Sequence, residues 1–131
     1  MTNLLKMAKE EGIEICEIKL PCGLKGLYYN GIIALNKSMG TNAEKRCVLA
    51  EELGHYFNTV GDILNMKIET NKKQEIRARN WAIEKLVPFD KLLEAYSNGY
   101  TSIYELANFL EVTEDFMKET ILHYQDKYGK F

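Results

Sequence analysis

The dipeptide Asn30-Gly31 is the feature that most constrains how this chain can fold. Apolar segments, residues 26–29 and 32–36, flank it on both sides. Asn-Gly is the pair most favoured in a two-residue type I′ turn, because both central positions of that turn need a positive φ. The sequence therefore predicts an antiparallel β-hairpin, and the fold must include a small sheet.

One further strand and six helices are predicted around this hairpin. β-Branched residues partly alternate with acids over residues 13–18, as in a half-buried strand. Thr41 and Glu44 have the spacing of a capping box, which starts a central helix, and residues 60–68 connect it to the next one. The predicted helices cover residues 3–11, 41–59, 71–86, 89–96, 103–110 and 114–127. These elements indicate an α+β fold with a small antiparallel sheet packed against the central helix.

The length of the chain is that of one domain. At 131 residues it can bury a single hydrophobic core, and its 46% hydrophobic and 27% charged residues are ordinary values for a globular protein. We expect one domain over residues 1–131, with the sheet and the two long helices in 1–98 and a helical tail in 99–131.

Net charge, cysteine spacing and hydropathy indicate which partners and which cellular compartment to expect for the protein. A net charge of -2 gives no bulk electrostatic reason to expect nucleic acid or an anionic membrane as a partner. The three cysteines lack C-x-x-C spacing, so we expect reduced thiols. No segment approaches the roughly 20 apolar residues of a membrane span. These features favour a cytoplasmic protein.

The chemistry of the chain is concentrated in the central helix. Glu51 and His55 are four residues apart, so on a helix they share one face, with Glu52 beside them. This is the layout of H-E-x-x-H with glutamate at the first histidine. In the intact motif the two histidines hold zinc and the glutamate is the general base. Glu51 and His55 would then be metal ligands and Glu52 the base. The alternative is a solvated polar face without chemistry.

Two other residues indicate how the long helices meet. Gly54 costs roughly 1 kcal/mol in a helix interior relative to alanine, so it either marks the close approach of another backbone or is merely tolerated. On the second long helix Glu75 heads a stripe of small residues that continues with Ala78 and Ala82. Glu75 can therefore meet the face that carries Glu51 and His55, or it can serve only as a helix-start acid.

The tail raises the question of a DNA-binding helix-turn-helix. Its electrostatics argue against one, because residues 99–131 contain six acids and three lysines, and the last helix opens with Glu114-Asp115. We therefore expect a structural helical cap. His123 on that helix is expected to lie at the surface or at the edge of the core.

With these elements placed, the sequence resembles the ImmA/IrrE family of metallo-endopeptidases, in the short form found in phages and mobile elements. The resemblance rests on three blocks in order: residues 26–36, residues 46–56 with Ala50-Glu51-Glu52-Leu53-Gly54-His55, and residues 74–88. In that family H-E-L-G-H lies on one helix and a third, acidic ligand on the next. The resemblance implies that His55 is the second histidine ligand, Glu52 the catalytic glutamate and Glu75 the third ligand, with Glu51 in place of the first histidine.

The resemblance also implies a function. It is cleavage of a helix-turn-helix repressor of a phage or mobile element, with zinc as the cofactor. A Glu/His/Glu site is more anionic than a two-histidine site, so manganese becomes more competitive. Tyr56 or another hydroxyl is a candidate to stabilise the oxyanion. Two alternatives stay open: a catalytically inactive regulator that binds the repressor without cleaving it, and a small transcription factor that uses the C-terminal helices.

Overall fold

The computed structural model describes residues 2–65 and 71–130 and confirms the α+β class. Its elements are, in order, α1 (Thr2–Glu10), β1 (Glu14–Ile18), β2 (Gly26–Tyr29), β3 (Ile32–Asn36), α2 (Asn42–Asn65), α3 (Asn71–Leu86), α4 (Phe89–Ser97), α5 (Ile103–Leu110) and α6 (Glu114–Tyr128). The two hairpin strands have the predicted bounds. Six of the twelve helix ends coincide with the predictions and five differ by one residue, as is usual for helix termini, whereas the end of α2 differs by six.

The hairpin forms around Asn30 and Gly31 as the sequence predicts. Both residues have positive φ, at 51° and 82°, as a type I′ turn requires. Beyond the turn, Tyr29 pairs with Ile32 in the antiparallel β2–β3 ladder. Strand β3 lies in the centre of the sheet, whose order is β1-β3-β2.

The expected all-antiparallel sheet is wrong in one respect, because β1 pairs with β3 in parallel and the sheet is mixed. The chain leaves β1 and turns back into β2, then reverses again at the hairpin, so that β1 and β3 run in the same direction. Residues 19–25 connect β1 to β2 and cross the end of β3, which lies between those two strands. The Asn36 side chain fixes this crossing by donating a hydrogen bond to the Leu24 carbonyl oxygen at 2.7 Å. A crossing of this kind carries no periodic signal in the sequence.

Helix α2 packs on the sheet and forms the core with it. The side chains of Ile33 and Leu35 on β3 are buried, as are those of Leu49 and Leu53 on α2. Each buried leucine or isoleucine of this kind contributes about 1.5–3 kcal/mol through the hydrophobic effect. This core fixes which faces of α2 remain available for chemistry.

Helix α2 begins as predicted but ends later. Thr41 Oγ1 accepts a hydrogen bond from the Glu44 main-chain amide at 3.1 Å, while the Glu44 carboxylate pairs with Lys25. The helix continues to Asn65, so the predicted connection is wrong for residues 60–65, and residues 66–68 lie outside the described residues. Gly61 costs roughly 1 kcal/mol in a helix, but without a proline the helix can continue through it.

The contacts divide the chain into two compact units, Met1–Ala82 and Ile83–Phe131. The expectation of a single domain with a boundary near residue 98 stays a prediction. In the second unit, a capping box of Ser102 and Glu105 starts α5, and Thr113 caps α6. Between these helices Glu111 adopts a left-handed conformation, with φ at 58°.

All three cysteines are free thiols, as expected. Within the described ranges, no helix combines the length and the apolar character that crossing a membrane requires.

Candidate functional site

Helix α2 places the three motif residues between two neighbours, the edge strand β2 and helix α3. Val48, Glu52 and Tyr56 are spaced by four residues and therefore form one row, which faces β2. Glu51 and His55 form a second row, which faces α3. The sequence predicted the composition of this site, and the packing of α2 determines which element each row meets.

Glu52 lies against β2 because Gly26 leaves room for it. A β-carbon at Gly26 would lie 2.6 Å from Val48 Cγ1 and 3.1 Å from Glu52 Cγ. The main-chain amide of Tyr28 donates a hydrogen bond to the Glu52 carboxylate. Burial raises the pKa of Glu52, and the nearby carboxylates of Glu75 and Glu51 raise it further, while His55 and the Tyr28 amide act in the opposite direction. Glu52 is therefore a partly buried carboxyl group whose proton affinity is increased, as proton transfer near neutral pH requires.

His55 and Glu75 are in direct contact, as the stripe on the second long helix allowed. His55 Nε2 and Glu75 Oε1 are 3.2 Å apart. The Glu75 side chain is 61% exposed, so this contact lies at an open rim of the site. The structure thus brings together two of the three residues predicted as metal ligands.

Glu51, the third predicted ligand, has a different neighbour. The Arg79 Nε–H donates a hydrogen bond to Glu51 Oε1 at 3.2 Å, within an ion pair. Arg79 lies one helical turn after Glu75 on α3, just as Glu51 lies one turn before His55 on α2. Arg79 could not be singled out from the sequence, because an arginine on a helix carries no signal of which carboxylate it will meet.

The donor chemistry of these residues suits a divalent ion, but their arrangement in the described part of the chain does not form a metal site. Two donors bound to one zinc ion at about 2.0–2.2 Å and a tetrahedral angle lie about 3.3–3.6 Å apart, close to the His55–Glu75 separation. Carboxylate oxygen and imidazole nitrogen are suitable ligands for zinc and manganese. Across residues 2–65 and 71–130, however, no group of three or more histidine, cysteine or acidic side chains is arranged for a metal. His55 and Glu75 contact each other, whereas Glu51 pairs with Arg79.

Two more polar groups lie near the motif, and one of them, Asn58, was not singled out by the sequence. The Asn58 side chain lies three residues after His55, and its buried Nδ2 has no hydrogen-bond partner among the described residues. Tyr56 was a candidate oxyanion donor, but its hydroxyl donates a hydrogen bond to Glu11 Oε1 at 2.9 Å, and this bond raises the pKa of Tyr56. The Tyr56 hydroxyl is therefore already engaged by Glu11.

His123 belongs to a separate cluster in the second unit. Its Nε2 lies 3.1 Å from Glu84 Oε2, and Lys127 contacts the other oxygen of the same carboxylate at 3.1 Å. The imidazole is 14% exposed, so it lies at the edge of the core, as expected. The cluster links α6 to the C-terminal end of α3.

A comparison with protein-family models places this chain in a known group. Residues 8–122 match the Peptidase_M78 family, described as an IrrE N-terminal-like domain. The match covers the sheet, both long helices and most of the helices that follow. No curated protein matches the chain. Because the match spans well over half of the sequence, the chain belongs to the Peptidase_M78 family of IrrE N-terminal-like domains.

Proposed function

We propose that this protein is a metal-dependent endopeptidase with a variant E-E-x-x-H motif. The observation that carries the proposal is the position of Glu52, whose partly buried carboxyl group lies between the His55–Glu75 contact and the edge strand β2. Membership of the Peptidase_M78 family supports the same reaction class.

The residues have distinct roles in this proposal. His55, Glu75 and Glu51 would hold the divalent ion, zinc or manganese, which when bound supplies Lewis acidity to the scissile carbonyl. Glu52 accepts the proton of the attacking water and then transfers it to the leaving amine. The Tyr28 amide orients the Glu52 carboxylate, since it hydrogen-bonds to it directly.

The proposed substrate is a helix-turn-helix repressor of a phage or mobile element, met in the cytoplasm. This assignment follows from the resemblance of the sequence to the ImmA/IrrE metallo-endopeptidases. The exposed acids Glu114 and Asp115 at the start of α6 support a protein partner rather than direct binding to nucleic acid.

The test is cleavage of the repressor encoded beside this protein, with added zinc or manganese. Wild type is expected to cut it, and Glu52→Gln, which keeps the size of the side chain but removes the base, is expected to bind it without cutting. Glu44→Gln is the matched control, because Glu44 lies on the same helix but pairs with Lys25 outside the site. Cleavage by Glu52→Gln at the wild-type rate would contradict the proposal.

A second candidate is a regulator of the same fold that binds the repressor without cleaving it. The observation that favours it is the ion pair of Glu51 with Arg79, which engages the first proposed ligand. In the same assay this candidate predicts equal binding by wild type and Glu52→Gln and no cleavage by either, with or without metal.

A further inference from the structure

Helix α2 covers one face of the three-stranded sheet and leaves the other face accessible to solvent. Tyr28 of β2 contacts Tyr56 of α2, and the residue paired with Tyr28 on β3, Ile33, is buried. Because side chains alternate along a strand, the residues on either side of Tyr28 and Ile33 point away from α2. They belong to the opposite face of the sheet.

This outer face carries large apolar side chains that remain exposed. Strand pairing arranges its residues in three rows across the sheet: Glu14, Ile32 and Tyr29 in the first, Cys16, Ala34 and Leu27 in the second, and Ile18 and Asn36 in the third. Ile18, Leu27, Tyr29 and Ile32 are exposed by 46%, 46%, 75% and 42%. Single apolar residues on a surface are ordinary, whereas a group of them on one sheet face indicates an interaction site.

The connection of residues 19–25 borders the third row. The Asn36 side chain donates hydrogen bonds to the carbonyl oxygens of Leu20 and Leu24, at 3.4 Å and 2.7 Å. Because Asn36 belongs to the outer face, the connection passes over this end of the face. Leu24 is 43% exposed and extends the apolar surface.

We propose that two copies of this chain pack their outer faces together as a two-fold symmetric dimer, with β1 of one copy antiparallel to β1 of the other. The two-fold axis lies along the second row, so Cys16, Ala34 and Leu27 each face their own counterpart. The first row of one copy then packs on the third row of the other. This inference goes beyond the proposed function and does not depend on it.

Charge complementarity selects a second copy as the occupant and fixes its orientation. Glu14 begins β1 and Lys19 directly follows its end. Both residues are exposed, and neither takes part in an ion pair among the described residues. Antiparallel stacking brings Glu14 of each copy next to Lys19 of the other. Parallel stacking would instead place Glu14 against the ring of Tyr29, where its charge would lose water without gaining a partner.

The size of the outer face predicts a weak, reversible dimer. The five exposed apolar side chains, those of Ile18, Leu24, Leu27, Tyr29 and Ile32, would bury on the order of 500 Å² in each copy, or about 1,000 Å² in total. This area is near the lower limit for a specific interface. We therefore expect a dissociation constant on the order of 10⁻⁵ to 10⁻⁴ M.

The experiment is sedimentation equilibrium of the full chain at concentrations from about 10⁻⁶ to about 5 × 10⁻⁴ M. Wild type is expected to pass from monomer to dimer across this range. Leu27→Lys places two lysines opposite each other on the axis and should weaken the dimer about tenfold or more. Leu122→Lys is the matched control, because Leu122 is also exposed but lies on α6, and it should associate like wild type.

Charge reversals test the antiparallel orientation and change only exposed residues. Glu14→Lys and Lys19→Glu each place like charges next to each other in both symmetry-related contacts, so each should weaken the dimer about fivefold. The double variant exchanges the two charges and should recover the wild-type dissociation constant.

Four results would overturn the inference. A wild type that stays monomeric at every concentration refutes the dimer, and if Leu27→Lys then loses binding to the repressor, the outer face belongs to that partner instead. An equally large loss in Leu122→Lys assigns the association to a general charge effect. A double charge variant without recovery refutes the antiparallel orientation. Repressor cleavage is measured separately, so each of these results leaves the proposed function standing.

Discussion

The Ala78 carbonyl oxygen on α3 occupies the space that a β-carbon at Gly54 of α2 would need. A β-carbon at Gly54 would be 2.5 Å from this oxygen and 3.0 Å from Ala78 Cα. The two helices therefore meet backbone to backbone next to His55. This contact is what brings Glu75 and Arg79 of α3 within reach of His55 and Glu51 of α2.

Gly54→Ala is expected to destabilise the protein strongly. The added methyl group meets main-chain atoms, which cannot rotate away, so the helices must separate, at a cost of about 1–3 kcal/mol or more. Urea unfolding measures this cost. The matched control is Gly40→Ala, because a β-carbon there meets nothing within 4 Å and its φ is not positive. Equal stability of the two variants would show that the close contact is not required.

Gly26→Ala is expected to destabilise the protein by displacing the side chains of Val48 and Glu52. The new methyl group would meet Val48 Cγ1 and Glu52 Cγ, which belong to side chains that can move, so we expect a loss of about 1–3 kcal/mol in the free energy of unfolding. Adding Val48→Ala makes room for it and should recover part of that loss. The measurement is a double-mutant cycle by urea unfolding, in which strictly additive effects would contradict the contact.

Tyr124→Phe is expected to destabilise the protein at neutral pH by about 1–3 kcal/mol. The buried Tyr124 hydroxyl donates a hydrogen bond to the Val87 carbonyl oxygen at 2.6 Å, and the variant leaves that acceptor without this donor. The loss is measured from the unfolding curves of both proteins.

Wild type and Tyr124→Phe are also expected to differ in how their stability depends on pH. Burial, with the negative charge of Glu84 as the next cause, raises the pKa of Tyr124 to about 12 from its ordinary 10.0. Folding therefore favours the neutral phenol, and the stability that this preference contributes is complete below pH 10 and is lost as the pH rises towards 12. The advantage of wild type over Tyr124→Phe should shrink across that interval. A constant difference would argue against this origin.

Ser102→Ala is expected to reduce the free energy of unfolding by about 1 kcal/mol. The Ser102 hydroxyl accepts a hydrogen bond from the Glu105 amide at 3.1 Å and donates one to the Glu105 carboxylate at 2.9 Å. Both bonds stabilise the first turn of α5. Ser102→Thr keeps the hydroxyl and should stay within about 0.5 kcal/mol of wild type. Thermal unfolding of the three proteins compares them, and a full loss in the threonine variant would contradict the capping role.

Features that depend on neighbours in sequence were determined by the sequence itself. Asn30-Gly31 specified its turn, and Ser102 and Glu105 specified a helix start, because the interacting groups are at most a few residues apart. The spacing of Glu51 and His55 placed both on one face of a helix for the same reason.

The tertiary structure decided how those pieces meet. The parallel pairing of β1 with β3 depends on where residues 19–25 cross the sheet, and no periodicity records that path. Glu51 pairs with Arg79 because the Gly54–Ala78 contact brings α3 close to α2. Glu52 accepts a hydrogen bond from the Tyr28 amide because the space at Gly26 lets α2 pack against β2. The sequence identified the candidate site residues, and the packing between helices and sheet determined which charged group each of them faces.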